Sequence, residues 1–150
     1  MSNPKANALN TYNQVAVQAN ATDASSHRLI QMLLEGALEK IATAKGHMAR
    51  GQIAGKGRHI GWAISIVSGL RASLDMPAGG EIAQNLDALY DYMVRRLLHA
   101  NINDDSVALD EVTGLLREVK SAWDAIPEHV QRAHAQGSAA AAPARAAAAR

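Results

Sequence analysis

Four segments of the chain carry apolar residues three and four positions apart, and short polar or glycine-rich stretches separate them. This spacing places the apolar side chains on one face of an α-helix. No segment shows the alternation of β-branched and aromatic residues that predicts a strand, and the chain contains no Phe. A helix with one apolar face must bury that face against another element. The pattern therefore predicts an all-α fold, an antiparallel four-helix bundle.

Capping and breaking residues predict the limits of the first two helices. The first helix is expected to begin after Ser25 or Ser26, because either hydroxyl can accept hydrogen bonds from the first turn. It is expected to end near Arg50, where a cation suits the negative end of the helix dipole. Residues 52–58 are rich in glycine and are interpreted as the linker to the second helix.

The second half of the chain has equally clear boundaries. Residues 75–80 contain a proline and two glycines, so they predict a turn before a third helix that opens at Glu81. The Asn and Asp side chains at 101–105 can cap a fourth helix. That helix is expected to stop before Pro127, since the residue preceding a proline disfavours helical geometry.

The two ends of the chain differ in composition from the bundle. Residues 1–20 are polar and weakly patterned, and we interpret them as an N-terminal arm. Residues 21–127 form the predicted bundle domain. Residues 128–150 end in an alanine-rich, low-complexity stretch with little bulky apolar surface to offset the entropy of ordering. We therefore expect a flexible, disordered C-terminal tail.

Charge and composition exclude several classes of protein. Fifteen Lys and Arg residues face fourteen Asp and Glu residues, so the formal net charge is only +1. This balance gives no general attraction to nucleic acid or to an anionic membrane surface. No apolar run approaches the roughly 20 residues that cross a bilayer. The chain has no cysteine and no signal-peptide pattern, which favours a cytoplasmic location.

No catalytic or cofactor motif is present in the sequence. The pair Gly55-Lys56 lacks the preceding glycine and the following Ser or Thr of a phosphate-binding loop, so it is interpreted as part of a flexible linker. None of the six histidines has an acidic residue three positions before it, as a di-iron bundle requires. We therefore expect surface or capping histidines, no metal or cofactor, and no enzymatic activity.

The apolar sector of the second helix is wider than a bundle core requires. Its predicted core stripe leaves Trp62, Ile66 and Leu70 on a ridge of residues four positions apart. One interpretation is that the N-terminal arm or a dimer partner covers this ridge. The other is that the ridge lines a groove for an amphipathic helix of a partner protein.

Two tyrosines in the third helix cannot both face the core. Tyr90 lies beside the apolar stripe, whereas Tyr92 points in nearly the opposite direction. An exposed tyrosine is frequent at binding sites, so Tyr92 is a candidate binding residue. The alternative is an amphipathic side chain that rests along the surface with its hydroxyl in water.

An ordered set of short motifs resembles the flagellar secretion chaperone family FliS, from about residue 12 to residue 126. The N-terminal half contributes Leu9-Asn-Thr-Tyr12 and the run from His27 to Ala37. The most specific part follows, and its elements are Gly79-Gly80-Glu81, Leu89-Tyr90-Asp91-Tyr92-Met93, Ala100-Asn101, Leu115-Leu116 and Ala122-Trp123.

The resemblance implies a cytoplasmic chaperone that binds the disordered C-terminal segment of flagellin. Shielding that segment would prevent premature polymerisation and deliver flagellin to the export apparatus, whose components are further expected partners. In such proteins the N-terminal tyrosine region lies over part of the binding surface, which here points to Tyr12. The candidate flagellin-binding residues are thus Trp62, Ile66, Leu70, Tyr92 and Tyr12. The alternative function is a helical adaptor or regulatory module that binds a different amphipathic helix.

Overall fold

A computed structural model of the chain describes residues 25–131. Within this range the regular structure consists of four α-helices: α1 (Ser26–Ala49), α2 (Ile53–Ala72), α3 (Met76–Asn103) and α4 (Ser106–Asp124). A further helical turn follows at residues 128–131, the first four residues of the predicted tail. The predicted arm at 1–20 and the rest of the tail lie outside the described residues.

The four helices form a closed ring in which each packs against two neighbours. Helix α1 contacts α2 and α4, and α3 contacts the same two helices from the other side. Because the connections between successive helices are only two or three residues long, consecutive helices run antiparallel. The predicted all-α, antiparallel four-helix bundle is confirmed for the part of the chain that the structure describes.

All four helices contribute aliphatic side chains to one continuous core. It contains no Phe or Trp among its fully buried members, so branched aliphatic residues and Met fill the space between the helices. The largest fully buried side chains are Leu33, Leu34, Ile41, Ile60, Val67, Leu70, Met93, Leu97, Leu109, Val112 and Leu116. None of the four described helices has the length and apolarity needed to cross a membrane.

The connection between α1 and α2 is shorter than the sequence predicted. Ser25 caps α1 as expected, and its hydroxyl accepts a hydrogen bond from the Arg28 backbone N–H at 3.2 Å. Gly51 adopts a left-handed conformation with φ of 68° and reverses the chain by itself. Helix α2 begins at Ile53, so the interpretation of residues 52–58 as a flexible linker was wrong. One positive-φ glycine makes the turn, and the glycines that follow it are helical.

Helix α3 contains a break at the position where the sequence predicted its start. Asp75 caps a first short turn by accepting a hydrogen bond from the Ala78 N–H at 3.2 Å. Gly80 then leaves helical geometry with φ of 53° and ψ of −133°, and the continuous helix runs on from Glu81. At the other end Asp104 is left-handed and Asp105 caps α4, in agreement with the predicted capping cluster.

Candidate functional site

The prediction that Ile66 and Leu70 form an exposed ridge was wrong. Their side chains are 4% and 1% exposed and belong to the core. Helix α2 lies between α1 and α3, so two neighbours together bury a sector about 140° wide on it. The predicted core stripe consisted of Ile60, Ile64, Val67 and Leu74, which centres it near one edge of this sector. Ile66 lies at the other edge, where a Cβ on Gly36 of α1 would be 3.7 Å from its Cδ1 atom.

Trp62 lies at the seam between α1 and α2 and is half-buried. The Lys40 ammonium of α1 sits 3.8 Å from the centroid of its ring, which places a cation on the aromatic face. The His59 ring packs beside the indole with a centroid separation of 6.1 Å. Of the three predicted ridge residues, Trp62 is therefore the one that remains partly exposed.

Tyr92 is half-buried at the seam between α3 and α4. Its hydroxyl donates to the Glu111 carboxylate at 3.0 Å, and the Arg96 guanidinium donates to the same carboxylate at 2.7 Å. The Arg96 hydrogen bond, followed by that of Tyr92, lowers the pKa of Glu111 and keeps it ionised. The side chain lies along the surface, as the amphipathic alternative predicted, but its hydroxyl is bonded to Glu111. Tyr12, the remaining predicted site residue, lies outside the described residues.

Charged side chains bridge the outer faces of the α1–α4 and α3–α4 seams. Between α1 and α4, Lys45 pairs with Asp110 at 2.7 Å and Lys120 approaches Glu35 at 3.8 Å. Between α3 and α4, the Arg96–Glu111 pair described above has the same role. These faces present hydrated charge, so they offer little to an apolar partner.

The seam between α2 and α3 has a different character over half of its length. Near the C-terminal end of α2, Arg71 pairs with Asp87 at 2.7 Å and with Asp91 at 3.1 Å on α3. Between these pairs and the start of α2, apolar residues line the seam. We call this region the α2–α3 apolar surface, and its residues are Ile53, Gly57, Gly61 and Ile64 of α2 with Val94, Leu98 and Ile102 of α3.

The α2–α3 apolar surface is both exposed and open. Ile53 is 75% exposed, Leu98 is 47% exposed and Ile102 is 78% exposed. The absence of a side chain at Gly61 leaves open space, since a Cβ there would meet no atom within 4 Å. A Cβ on Gly57 would lie 3.8 Å from the Asn101 side chain of α3, which shows that the two helices face each other here.

A buried cation joins the N-terminal end of α2 to the C-terminal end of α3 beneath this surface. The Lys56 ammonium of α2 donates to the Asn101 carbonyl at 2.9 Å and pairs with the Asp104 carboxylate. Lys56 is buried, whereas Asp104 is exposed. A paired and hydrogen-bonded ammonium can be tolerated in the interior, and here it also caps the free carbonyl end of α3. The apolar surface therefore rests on a fixed pair of helices.

The sequence carries a signal for this surface that the predicted site does not include. Val94, Leu98 and Ile102 recur every four residues, and each successive residue lies about 40° further from the core stripe of α3. The angular positions of apolar residues around the helix axis, which gave the predicted ridge on the second helix, identify this set on the third helix. The exposed position of Ile53 on α2 did not follow from the sequence, because residues 52–58 were predicted to form a linker and not the start of a helix.

No group of three or more His, Cys, Asp or Glu side chains is placed to hold a metal ion within residues 25–131. The lowered pKa values of Asp87 and Asp124 follow first from hydrogen bonds to Arg71 and Lys120, which are surface pairs. Burial raises the pKa of Tyr90, which lies in the core.

Comparison with known proteins identifies the family. Residues 8–130 match the model of the flagellar protein FliS. The chain is 54% identical over 119 residues to the flagellar secretion chaperone FliSB of Pseudomonas aeruginosa, an alignment covering 79% of this chain and 94% of the relative. It is 44% identical over 122 residues to flagellar secretion chaperone FliS of Salmonella typhimurium, covering 81% and 90%. The Bacillus subtilis protein of that name is 32% identical over 124 residues, covering 81% and 92%. The chain belongs to the FliS family of flagellar secretion chaperones.

Proposed function

We propose that this protein binds the C-terminal segment of flagellin in the cytoplasm, prevents its premature polymerisation and delivers it to the flagellar export apparatus. The observation that carries the proposal is the match over nearly the whole length of relatives named flagellar secretion chaperones. The resemblance described above supplies the identity of the client segment. The protein acts by holding a partner chain and catalyses no reaction.

The α2–α3 apolar surface is the proposed docking site for that segment. From Ile53 to Ile64 it extends about 17 Å along α2, which matches roughly three turns of a helical partner. Glycines at 57 and 61 let a partner backbone approach closely, and the side chains of Leu98 and Ile102 offer apolar contact on the other side. An amphipathic segment of an unstructured chain gains burial of its apolar face by docking here.

The remaining candidate residues have different roles in this proposal. Trp62 and Tyr92 are half-buried, so each can add contact if the client chain extends beyond the α2–α3 apolar surface. Ile66 and Leu70 support the core and have almost no surface to offer a partner. Tyr12 belongs to the proposed arm that yields when flagellin binds.

Calorimetry with the cognate flagellin tests the proposal. The full flagellin monomer and its isolated C-terminal segment should both bind, with one chaperone for each client chain. Flagellin that lacks this segment is the matched control and should give no binding heat. If the truncated flagellin binds as tightly as the full monomer, the client segment is wrongly assigned.

The second candidate function is a helical adaptor that binds a different amphipathic helix. The apolar surface itself favours it, because aliphatic side chains and glycines recognise the shape of a helix more than its sequence. The same experiment separates the two functions. An adaptor of this kind would show no affinity for either form of flagellin.

A further inference from the structure

Two histidines from different helices meet at the corner between α1 and α2. His47 lies in the last turn of α1, and His59 lies in the second turn of α2. Their ring centroids are 5.1 Å apart and their planes are inclined by 32°. Both side chains are half-buried at the rim of the bundle, so water and small ions can reach them. The proposed flagellin-binding surface does not include either residue.

Hydrogen bonds set the same tautomer in both rings. The Nδ1 atom of His59 lies 2.8 Å from the Gly55 carbonyl oxygen, which can only accept, so Nδ1 carries the proton. The Nδ1 atom of His47 lies 2.6 Å from Oε1 of Gln52. Arg50 donates to that same oxygen at 3.1 Å, which identifies it as the carbonyl end of the amide. In both neutral rings the lone pair is therefore on Nε2.

This is the arrangement that proteins use to prepare histidine for a metal ion. A ligating imidazole generally donates its second N–H to a carbonyl or carboxylate oxygen, which fixes the ring orientation and raises its basicity. The hydrogen bonds that His47 and His59 make within residues 25–131 use their Nδ1 atoms, and both residues are partly exposed. The Nε2 lone pairs are therefore the ones left for an ion from solvent.

The ring separation fits a shared tetrahedral ion. Zinc–nitrogen bonds are about 2.0–2.1 Å long, so two imidazoles on one tetrahedral ion have centroids about 5.2 Å apart. The observed separation is 5.1 Å.

The backbone of α2 is shaped to seat one of the two rings. A Cβ atom added at Gly55 would lie 2.5 Å from Nδ1 of His47, so any larger residue there would displace the imidazole. The turn at Gly51 brings the ends of the two helices together. The site thus depends on Gly51 and the Gln52 amide, which belong to the short connection between the helices, and on Gly55 in the first turn of α2.

The geometry points to a transition-metal site in which His47 and His59 bind one divalent ion such as Zn²⁺ or Ni²⁺ through their Nε2 atoms, with water completing the coordination. Imidazole nitrogen suits these ions and not Mg²⁺ or Ca²⁺. A bound ion would link the end of α1 to the start of α2.

Calorimetric titration of the full chain, without an affinity tag, with ZnCl₂ and NiCl₂ tests the site. We expect one saturable ion per chain and a melting temperature that rises with ion concentration until the site is filled. His47→Gln and His59→Gln should each weaken binding at least tenfold, because one imidazole is lost. Circular dichroism confirms that both variants keep their helices.

His99→Gln is the matched control, since His99 is also partly exposed and lies near a carboxylate, Asp105, at 3.1 Å. This variant should bind the ion within twofold of wild type. Loss of binding in His99→Gln, or unchanged binding in both His47→Gln and His59→Gln, would overturn the assignment. The absence of saturable binding to the wild-type chain would overturn it as well.

Discussion

Ile102→Lys separates the proposed binding surface from the core. Ile102 is 78% exposed, so folding buries only about a fifth of a side chain whose full burial contributes ~1.5–3 kcal/mol. The replacement should therefore cost roughly 0.5 kcal/mol of packing. Position 102 is in the last turn of α3, where a cation gains about 0.3–1 kcal/mol from the helix dipole. The free energy of unfolding should stay within about 1 kcal/mol of wild type.

The effect of Ile102→Lys on binding should be much larger than its effect on folding. A client chain that covers the exposed part of Ile102 gains about 1–2 kcal/mol from it. In the variant that gain is lost, and an ammonium without a partner must leave water. We expect the dissociation constant for the flagellin C-terminal segment to rise at least tenfold, or about 1.4 kcal/mol. Urea denaturation and calorimetry measure the two quantities on the same preparation.

Two control variants on α3 make the result interpretable. Leu97→Lys places the same charge at a position that is 0% exposed and should prevent stable folding. Ile82→Lys changes a residue that is 73% exposed at the far end of the same helix, and it should leave binding unchanged. If Ile102→Lys binds flagellin as tightly as wild type, or if Ile82→Lys weakens binding equally, the proposed location of the site is wrong.

Three further predictions concern stability. Burial lowers the pKa of His27 more than the Asp124 carboxylate raises it, so folding favours the neutral ring. The free energy of unfolding should therefore fall as the pH drops below about 6.5. Urea midpoints measured between pH 7.5 and 5.5 should change less in His27→Gln than in the wild type. Trp123→Phe keeps a ring near His27 but removes the indole hydrogen bond of 2.9 Å to the His27 carbonyl, which should cost about 0.5–1.5 kcal/mol in denaturant melts. Lys56→Ala leaves the Asn101 carbonyl without its donor and should cost ~1–3 kcal/mol by the same assay, whereas an unchanged midpoint would show that water replaces the ammonium.

The helix boundaries followed from local chemistry that the sequence displays directly. Ser25 was predicted as a cap and accepts the expected first-turn hydrogen bond. Gly80 breaks α3 at the residue before the predicted start, because its left-handed conformation is readily adopted only by glycine. These features depend on residues close together in the chain, so a single sequence suffices to find them.

The errors arose where long-range packing decides the outcome. The rotation of α2 within the bundle determines that Ile66 is core and that Ile64 lies at the edge. The sequence of a helix with so wide an apolar sector does not specify that rotation. His27 was expected at the surface, yet it is buried in a stack with Trp123 at 4.8 Å, a contact between residues 96 positions apart. The apolar surface of α3, in contrast, had a local sequence signal in the four-residue spacing of Val94, Leu98 and Ile102.

The most direct test of the central claim is a methyl NMR titration of Ile-, Leu- and Val-labelled protein with the flagellin C-terminal segment. The account predicts that the largest shift changes occur at Ile53, Leu98 and Ile102, on the α2–α3 apolar surface. Methyl groups of Leu115 and Val119 on α4, which are partly buried away from that surface, should change least. Changes centred on α4 or on Ile82, or no change with saturating client segment, would contradict the account.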